Sequence, residues 1–441
     1  MAAMRAFAVD RVTDSSHLTG SSESSETTKH AVTASYAVHW VAEKGIYPEG
    51  NTEHRIYINQ FCADFSRCMH AAIDRAAAAR SAFQTDPLCS EVAHHTEFVK
   101  TRAASFYGQE LILCAILAFL PSDASPSSSI PVMLVGESGA GKTSIMAKVA
   151  MIASLRLPTC VIVARFLGTS RDSCTIARLL PTLCAQISRA YGQPDTVIHA
   201  DLSSLIALFH SRLALATAER PLVLIIDAVD QLTDPVNLVW IPRTLPPHVA
   251  MFVTLLPSYG GHVDGCIPLL RGAFGPDVPI LSVSRLTTED AKAIFDASIL
   301  AASRTLTSSQ QSLVVSAWSA SGMAPLPLLL RLSVDQAKRW HSYSALADCR
   351  MGTNVPLAIQ LLFSLLERDH GEVFVRHALG YLTAAQHGLS TDELEDVLSC
   401  DDAVLSSVFE WWLPPVRRIP PILWARVRQR LGDFLVRRRV S

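Results

Sequence analysis

The sharpest chemical signal is the run Gly136-Glu137-Ser138-Gly139-Ala140-Gly141-Lys142-Thr143, which satisfies the spacing GxxxxGK[ST] at every position. Glycines let a backbone wrap closely, so that successive N–H groups point at phosphate oxygens. A helix starting at the lysine adds the partial positive charge of its N-terminus. Lys142 brings a point charge to the outer phosphates, and the Thr143 hydroxyl is a ligand for Mg2+. Gly136, Glu137, Ser138, Gly139, Ala140, Gly141, Lys142, Thr143 and the following Ser144 are therefore the candidate nucleotide contacts, with ATP or ADP and Mg2+ as the implied cofactors. The flanking sequence suits a phosphate-binding loop, since an apolar VMLV precedes it and SIMAKVAMIASL follows it with helical character.

Such a site needs a carboxylate on a neighbouring strand to hold the hydrated metal. Leu222-Val223-Leu224-Ile225-Ile226-Asp227 supplies it: five apolar residues read as a strand buried on both faces, and Asp227 stands at the strand end where open α/β sheets bind ligands. Thr143 and Asp227 are the candidate metal ligands. Small Ala228 follows, and Asp230 is the candidate catalytic residue, placed to orient or deprotonate an attacking water. Likeness to ATPases with a separate catalytic acid implies that the next apolar run, VAMFVTLL at 249–256, lies between the loop strand and the acidic strand, where Thr254 or Ser258 could sense the terminal phosphate.

These residues must be held by alternating strands and helices. Strands are predicted at 131–135, 160–166, 222–227, 249–256 and 279–283, with helical segments between the first three, which is the grammar of a largely parallel sheet. Before them, Tyr57, Ile58, Phe61 and Phe65 recur at helical spacing, followed by the Ala-rich AAIDRAAAARSAF. A Ser/Thr-rich stretch at about 10–35 reads as a mobile tail, and PSDASPSSS at 121–129 as a short linker. From Thr287, which forms an N-cap pair with Asp290, the chain reads as helical to about Ala347, and again from Val355 to about Phe434. No internal repeat of 20–50 residues is visible.

Composition sets the outer bounds. The chain has 441 residues, 49% hydrophobic and 18% charged, which excludes collagen-like, low-complexity and globally disordered classes. Lys+Arg 38 against Asp+Glu 40 leaves a net charge of -2, so no global basic field favours nucleic acid or membrane. The longest apolar run, Leu111 to Leu120, falls well short of a membrane span, and MAAMRAFAVDRVTDSSH has no long apolar segment of the secretory type. Ten scattered cysteines without CxxC spacing predict reduced, mostly buried thiols. Trp411 and Trp412 are expected to fill an interdomain core, and the arginines of the C-terminus (417, 418, 426, 428, 430 and 437–439) to form a solvated face or meet an acidic protein partner.

The pairing of GESGAGKT with LVLIIDAVDQL resembles a NACHT domain, within the STAND class of signal-transduction NTPases. The stretches at 164–187, 245–257, 326–340, 376–399 and 413–436 resemble, more narrowly, the NACHT proteins that carry WD repeats. The resemblance implies adenine-side contacts from Phe106, Tyr107 and Gly108, and from Pro327 in Leu326-Pro327-Leu328. Gln109 stands where the family usually has arginine. Gln231 stands where many relatives have glutamate, and the strand ending at Thr254 lacks the sensor arginine common in the wider class. Phe434-Leu435-Val436 has strand-forming character and is expected to begin the wing, and the resemblance places its partner strand and a diphosphate-contacting histidine beyond Ser441; His377 and His387 do not match that position and read as core or surface histidines.

Together these readings predict an α/β fold: a P-loop NTPase with a three-layer parallel-sheet core, flanking all-α segments and an incomplete C-terminal winged-helix-like domain. The expected division is a tail at 1–50, a helical pre-NACHT segment at 51–125, the NTPase core at 126–286, a helical lid at 287–350 and a truncated winged helix at 351–441. The expected function is a cytoplasmic ATP/ADP switch with slow hydrolysis that controls self-association or protein-partner recruitment, without nucleic-acid or membrane-spanning roles. A continuously cycling AAA-like ATPase and a non-hydrolysing scaffold are the alternatives.

Overall fold

The structure is a computed structural model that describes residues 38, 41, 44–84, 86–104, 106, 108–121, 129–194, 201–234, 238–261, 265–320, 322, 324–385, 388–412 and 414–435. Most of the expected tail, most of the linker at 121–129, Tyr107, His387 and Val436 lie outside the described residues. The chain divides into two units, residues 1–87 and 88–441.

In the first unit, residues 44–50 form turns that lead into helix α1 (Thr52–Gln84). Asn51 starts the helix: its Oδ1 accepts the Glu53 N–H at 2.9 Å. The aromatic stripe expected from spacing is present, with Tyr57–Phe61 and Phe61–Phe65 ring centroids 6.3 and 6.2 Å apart, and Phe61 and Phe65 are exposed.

The second unit opens with α2 (Pro87–Ala104) and α3 (Glu110–Leu117). Then β1 (Val132–Gly136), α4 (Lys142–Arg156), β2 (Val161–Phe166), α5 (Ile176–Ala190), α6 (Leu202–Leu213), β3 (Leu222–Asp227), β4 (Val249–Leu255), α7 (Ile267–Phe274) and β5 (Ile280–Val283) alternate. All five predicted strands form, and they pair in parallel in the order β2-β3-β4-β1-β5. The loop strand β1 and the acidic strand β3 are thus separated by β4, as expected. The period-two pattern of β3 explains its double burial: Leu222, Leu224 and Ile226 join the core beneath α5 and α6, while Val223 and Ile225 join the core beneath α3 and α4.

Among the described residues, eight helices follow: α8 (Thr288–Ala301), α9 (Ser308–Ser319), α10 (Pro327–Ala337), α11 (Val355–His370), α12 (Glu372–Ala384), α13 (Thr391–Cys400), α14 (Asp402–Val408) and α15 (Pro421–Leu431). They share one apolar core running from Phe295 and Trp318 to Phe374, Leu398 and Trp424. Thr287 caps α8 as expected, its Oγ1 accepting the Asp290 N–H at 3.0 Å.

Three expectations are corrected. Trp411 and Trp412 are 96% and 66% exposed, because they sit on the connection after α14 that Pro414 and Pro415 keep out of helix; Trp318, Trp340 and Trp424 fill the core instead. Phe434 does not begin a strand but closes a 3₁₀ turn, Gly432–Phe434, after Gly432 ends α15 with a positive φ. The cysteines are unbonded, yet only Cys184, Cys266 and Cys349 are buried. No helix among the described residues is long and apolar enough to cross a membrane.

Helix α2 is fastened to the edge strand β2 by a buried polar network. The Phe166 N–H donates to His95 Nδ1 at 3.3 Å, so His95 carries its proton on Nε2, which lies 2.9 Å from Glu91 Oε1. The Ser170 hydroxyl donates to the same carboxylate oxygen at 2.5 Å. Burial would raise the Glu91 carboxyl, but the hydrogen bonds of His95 and Ser170 and nearby positive charge hold it down at about 2. Burial lowers His95 to about 4, against the raising effect of Glu91. A protonated Nδ1 could no longer accept the Phe166 N–H.

The folded chain therefore binds fewer protons at His95 than the unfolded chain, so its stability is full above the ordinary imidazole range and is lost as pH falls toward about 4. Urea unfolding should show a loss of about 1–2 kcal/mol from this residue between pH 7 and pH 5. His95→Gln should flatten that part of the profile; an unchanged slope in the variant contradicts the assignment.

Candidate functional site

The phosphate loop joins β1 to α4 through two residues that only glycine suits. Gly139 and Gly141 have φ of 82° and 95°, and a Cβ on Gly139 would lie 2.9 Å from Leu328 Cβ. Gly141 is the N-cap of α4, so Lys142 and Thr143 occupy its first turn. The Lys142 ammonium folds back onto the loop, donating to the carbonyls of Gly136 at 2.6 Å and Glu137 at 3.1 Å. Its burial lowers its pKa, while the charges of Asp227 and Asp230 raise it.

Asp227 lies buried at the tip of β3 and ties three elements together. Thr143 Oγ1, from α4, donates to its Oδ2 at 2.7 Å. Thr254 Oγ1, from β4, donates to its Oδ1 at 2.7 Å and accepts the Ala228 N–H at 2.7 Å. Burial pushes the Asp227 carboxyl above the ordinary range; the two hydroxyls and the Lys142 charge pull it down, and Asp230 pushes it up. Ala228 turns the chain sharply with φ 60° and ψ 56°, a strained conformation for a residue with a Cβ, and carries Asp230 toward the same space. Asp230 Oδ2 accepts from Gln231 Nε2 at 3.0 Å, and its buried Oδ1 has no hydrogen-bond partner among the described residues.

A cleft of about 390 Å³ opens over these groups. Ser138, Gly139, Gly141, Lys142, Thr143 and Ser144 line it together with Asp227, Ala228, Asp230 and Thr254, and Pro327, Leu328 and Arg331 of α10 form its far wall. The rest of the loop has other contacts: Gly136 ends β1, Ala140 is buried, and Glu137 reaches out to Arg285, whose Nη2 donates to its Oε2 at 2.6 Å. Of the adenine-side candidates, Pro327 lines the cleft, whereas Phe106 packs against the core beneath α3 and α4, and Gly108 sits beside Leu286 and Ile294. Of the two sensor candidates, Thr254 reaches Asp227 and Ser258 is not among the cleft's lining residues.

The lining also contains residues that motif reading missed. Phe98 and Arg102 come from α2, Phe166, Leu167 and Thr169 from the end of β2, and Arg331 from α10. None lies in a phosphate-loop or acidic-strand signature. The only sequence signal was positional: Phe166 and Leu167 follow a strand, at the end where parallel sheets bind ligands.

His377 Nδ1 lies 2.5 Å from Asp401 Oδ2, beside the Tyr381 hydroxyl, and is away from the cleft. Of the C-terminal arginines, 437–439 lie outside the described residues, while Arg417 pairs with Asp402, Arg418 with Asp396 and Arg430 with Asp369, and Arg428 donates to the Thr391 hydroxyl at 3.3 Å.

The parallel sheet, the glycine-bent loop at a helix N-terminus and the acid on the strand two places away define a P-loop NTPase fold. Residues 105–261 match the family described as the AAA ATPase domain, and residues 351–440 match the NWD1-like winged helix-turn-helix domain. The resemblance to NACHT proteins that carry WD repeats is borne out along most of the chain. It is 32% identical over 406 residues to NACHT domain- and WD repeat-containing protein 1 of Homo sapiens, covering 89% of this chain and 25% of the relative. It is 30% identical over 371 residues to NACHT and WD repeat domain-containing protein 2 of Homo sapiens, covering 81% of this chain and 21% of the relative. The chain thus spans about a quarter of the length of these curated relatives. Among solved structures, the Aeropyrum pernix ORC1 protein, in complex with DNA, aligns at 14% identity with a TM-score of 0.37, over 75% of this chain and 84% of that one.

Thr254 is the hinge of this geometry, and its removal has a measurable cost. Thr254→Val keeps the volume but leaves Asp227 Oδ1 and the Ala228 N–H without their hydroxyl partner in a buried place. Urea unfolding should show a loss of about 2–4 kcal/mol, and Thr254→Ser should recover most of it. A loss below about 0.5 kcal/mol would mean the hydroxyl bears little on the site.

Proposed function

We propose that this chain is a nucleotide-dependent switch that binds ATP or ADP with Mg2+ in the cleft above the phosphate loop. The observation that carries the reading is the docking of α10 on that loop. The Leu328 N–H donates to the Gly139 carbonyl at 3.2 Å, Pro327 walls the same cleft, and the Leu286 N–H donates to the Pro325 carbonyl at 3.2 Å. Arg285 bridges the two sides, donating to Glu137 and, at 3.2 Å, to the Ala324 carbonyl. Phosphates entering the loop therefore meet the groups that hold the helical half in place.

In this reading residues 126–286 are the NTPase core, 287–350 a lid and 351–441 a winged-helix domain, with 51–125 a helical segment before them. ADP keeps the lid and winged helix closed on the core; exchange for ATP releases them and exposes a surface for self-association or a protein partner. The setting is cytoplasmic, and nucleic acid has no part in it.

The donor set fits magnesium. The Thr143 hydroxyl and the Asp227 carboxylate, 2.7 Å apart, are hard oxygen donors. Among the described residues no group of three or more His, Cys, Asp or Glu could hold a metal alone, which suits an ion bound mainly through nucleotide phosphates and water. Bound Mg2+ would supply charge neutralisation at the outer phosphates. Lys142 exchanges the loop carbonyls for phosphate oxygens, and Asp230 orients the water. Gln231 occupies the hydrogen-bonding position beside Asp230 and adds no second carboxylate, which supports slow turnover.

Lys142→Ala should weaken ATP binding roughly ten- to a hundredfold through loss of one charge-assisted contact. Calorimetric titration with ATP and Mg2+ decides it, and unchanged affinity rejects the site.

Asp230→Asn should bind ATP like the parent chain yet fail to hydrolyse it. Single-turnover measurements provide the comparison, with the parent expected well below about one turnover per second. Tens per second would indicate a cycling motor, and an Asn variant as fast as the parent would remove Asp230 from the reaction.

A further inference from the structure

Edge strand β2, helices α2 and α4 and the second half of α5 enclose a cavity of about 320 Å³ that shares no lining residue with the phosphate-loop cleft. Its size is at the lower end of small-molecule sites, roughly 300–1,000 Å³. Val92, Val99, Met151 and Ile162 give it apolar walls. Two cations, Arg165 and Lys100, line it, and among the described residues no carboxylate does.

Arg165 is 1% exposed although it stands on an edge strand. Its Nη1 donates to the Ala164 carbonyl at 3.1 Å. Its Nε and Nη2 are shielded from bulk water and have no hydrogen-bond partner among the described residues. Those two atoms carry the parallel N–H pair of the guanidinium fork, the edge that matches a carboxylate. Unpaired donors on a buried charge are costly, and bulk water cannot reach these to satisfy them. Burial lowers the Arg165 pKa to about 10, against the raising effect of Glu91 and Asp172. Neither carboxylate forms an ion pair with it among the described residues, and Glu91 Oε1 is already taken by His95 and Ser170. The hydroxyls of Thr96 and Ser154 are spent on carbonyls of their own helices, at 2.8 and 2.7 Å. Gln186 Oε1, in the same lining, is a buried acceptor without a partner. Lys100 is exposed, and its Nζ lies 4.0 Å from Glu97 Oε2, a loose pair that leaves its charge at the rim.

We propose that this cavity is a second ligand site, and that it takes a small monocarboxylate with an aliphatic body. The Arg165 fork turns onto the carboxylate, Lys100 adds positive charge at the mouth, and the aliphatic chain lies along the apolar walls. Such an occupant bridges α2 to α4 and β2. It would therefore tighten the helix that also reaches the nucleotide cleft: Phe98 and Phe166, with ring centroids 4.7 Å apart, line the cleft, while their neighbours Val99 and Arg165 line the cavity.

The test is calorimetric titration of the full chain with octanoate and with octanamide, which keeps the aliphatic body and the carbonyl but not the charge. No nucleotide is added, so the outcome is independent of the phosphate-loop site. Octanoate should bind once per chain with a dissociation constant below about 1 mM. Octanamide should bind about tenfold or more weakly, and Arg165→Met should weaken octanoate by a similar factor, the loss of a charge-assisted bidentate contact. Ser154→Phe, at an exposed position of the lining on α4, should also weaken octanoate about tenfold by filling the cavity while Arg165 stays in place. It keeps the test decisive if Arg165→Met folds poorly. Hydrogen exchange in the 88–104 peptide should slow with octanoate in the parent chain and not in Ser154→Phe. Absence of binding at about 10 mM octanoate, equal affinity for octanamide, or unchanged octanoate affinity in Ser154→Phe or in a folded Arg165→Met overturns the proposal.

Discussion

A carboxylate buried at the end of an apolar strand is the constraint around which the rest of the structure is arranged. Asp227 loses its hydration when β3 enters the sheet, and it is tolerated because hydroxyls from two other elements donate to it. Those donors can arrive only if β4 lies beside β3 and α4 begins where it does. The parallel order of the strands, the sharp turn at Ala228 and the start of α4 at Lys142 are thus one problem with one solution. The same solution holds a carboxylate and a hydroxyl 2.7 Å apart beside an ammonium, hard oxygen donors and a positive charge of the kind that suits a metal–phosphate pair.

The helical half is secured to this centre by contacts that are individually modest. The chain from Ala324 to Leu328 is hydrogen-bonded to Arg285, Leu286 and the phosphate-loop carbonyl of Gly139. Beyond it, α8–α15 share one apolar core, which ties Leu328 to helices remote from the cleft. Few contacts at the loop and many behind it suit a body that shifts as a unit rather than one that deforms locally.

Much of this was legible in the residues themselves. The five strands, the phosphate loop and Asp227 follow from apolar runs and from spacings whose chemistry is local, whereas the placement of β4 between β1 and β3 came from likeness to known ATPases. The cleft's far walls were not legible, because Phe98, Arg102, Phe166 and Arg331 reach it by tertiary packing from elements with no motif of their own. Trp411 and Trp412 misled for a related reason: aromatic character argues for burial, yet the Pro414-Pro415 segment holds them on a surface connection. Phe434-Leu435 had strand-forming character, and the helix end at Gly432 overrode it with a tight turn. Phe106 and Gly108 were assigned by resemblance, and in this structure they are engaged with the core and with α8 rather than lining the cleft.

Whether the phosphate loop and Asp227 form a nucleotide site completed by magnesium is decided by calorimetric titration of the full chain with ATP, first with Mg2+ and then with the metal chelated. Saturation near one nucleotide per chain is expected, with affinity falling about tenfold or more when the metal is withdrawn. Absence of binding at millimolar ATP, or binding that is indifferent to the metal, would contradict such a site.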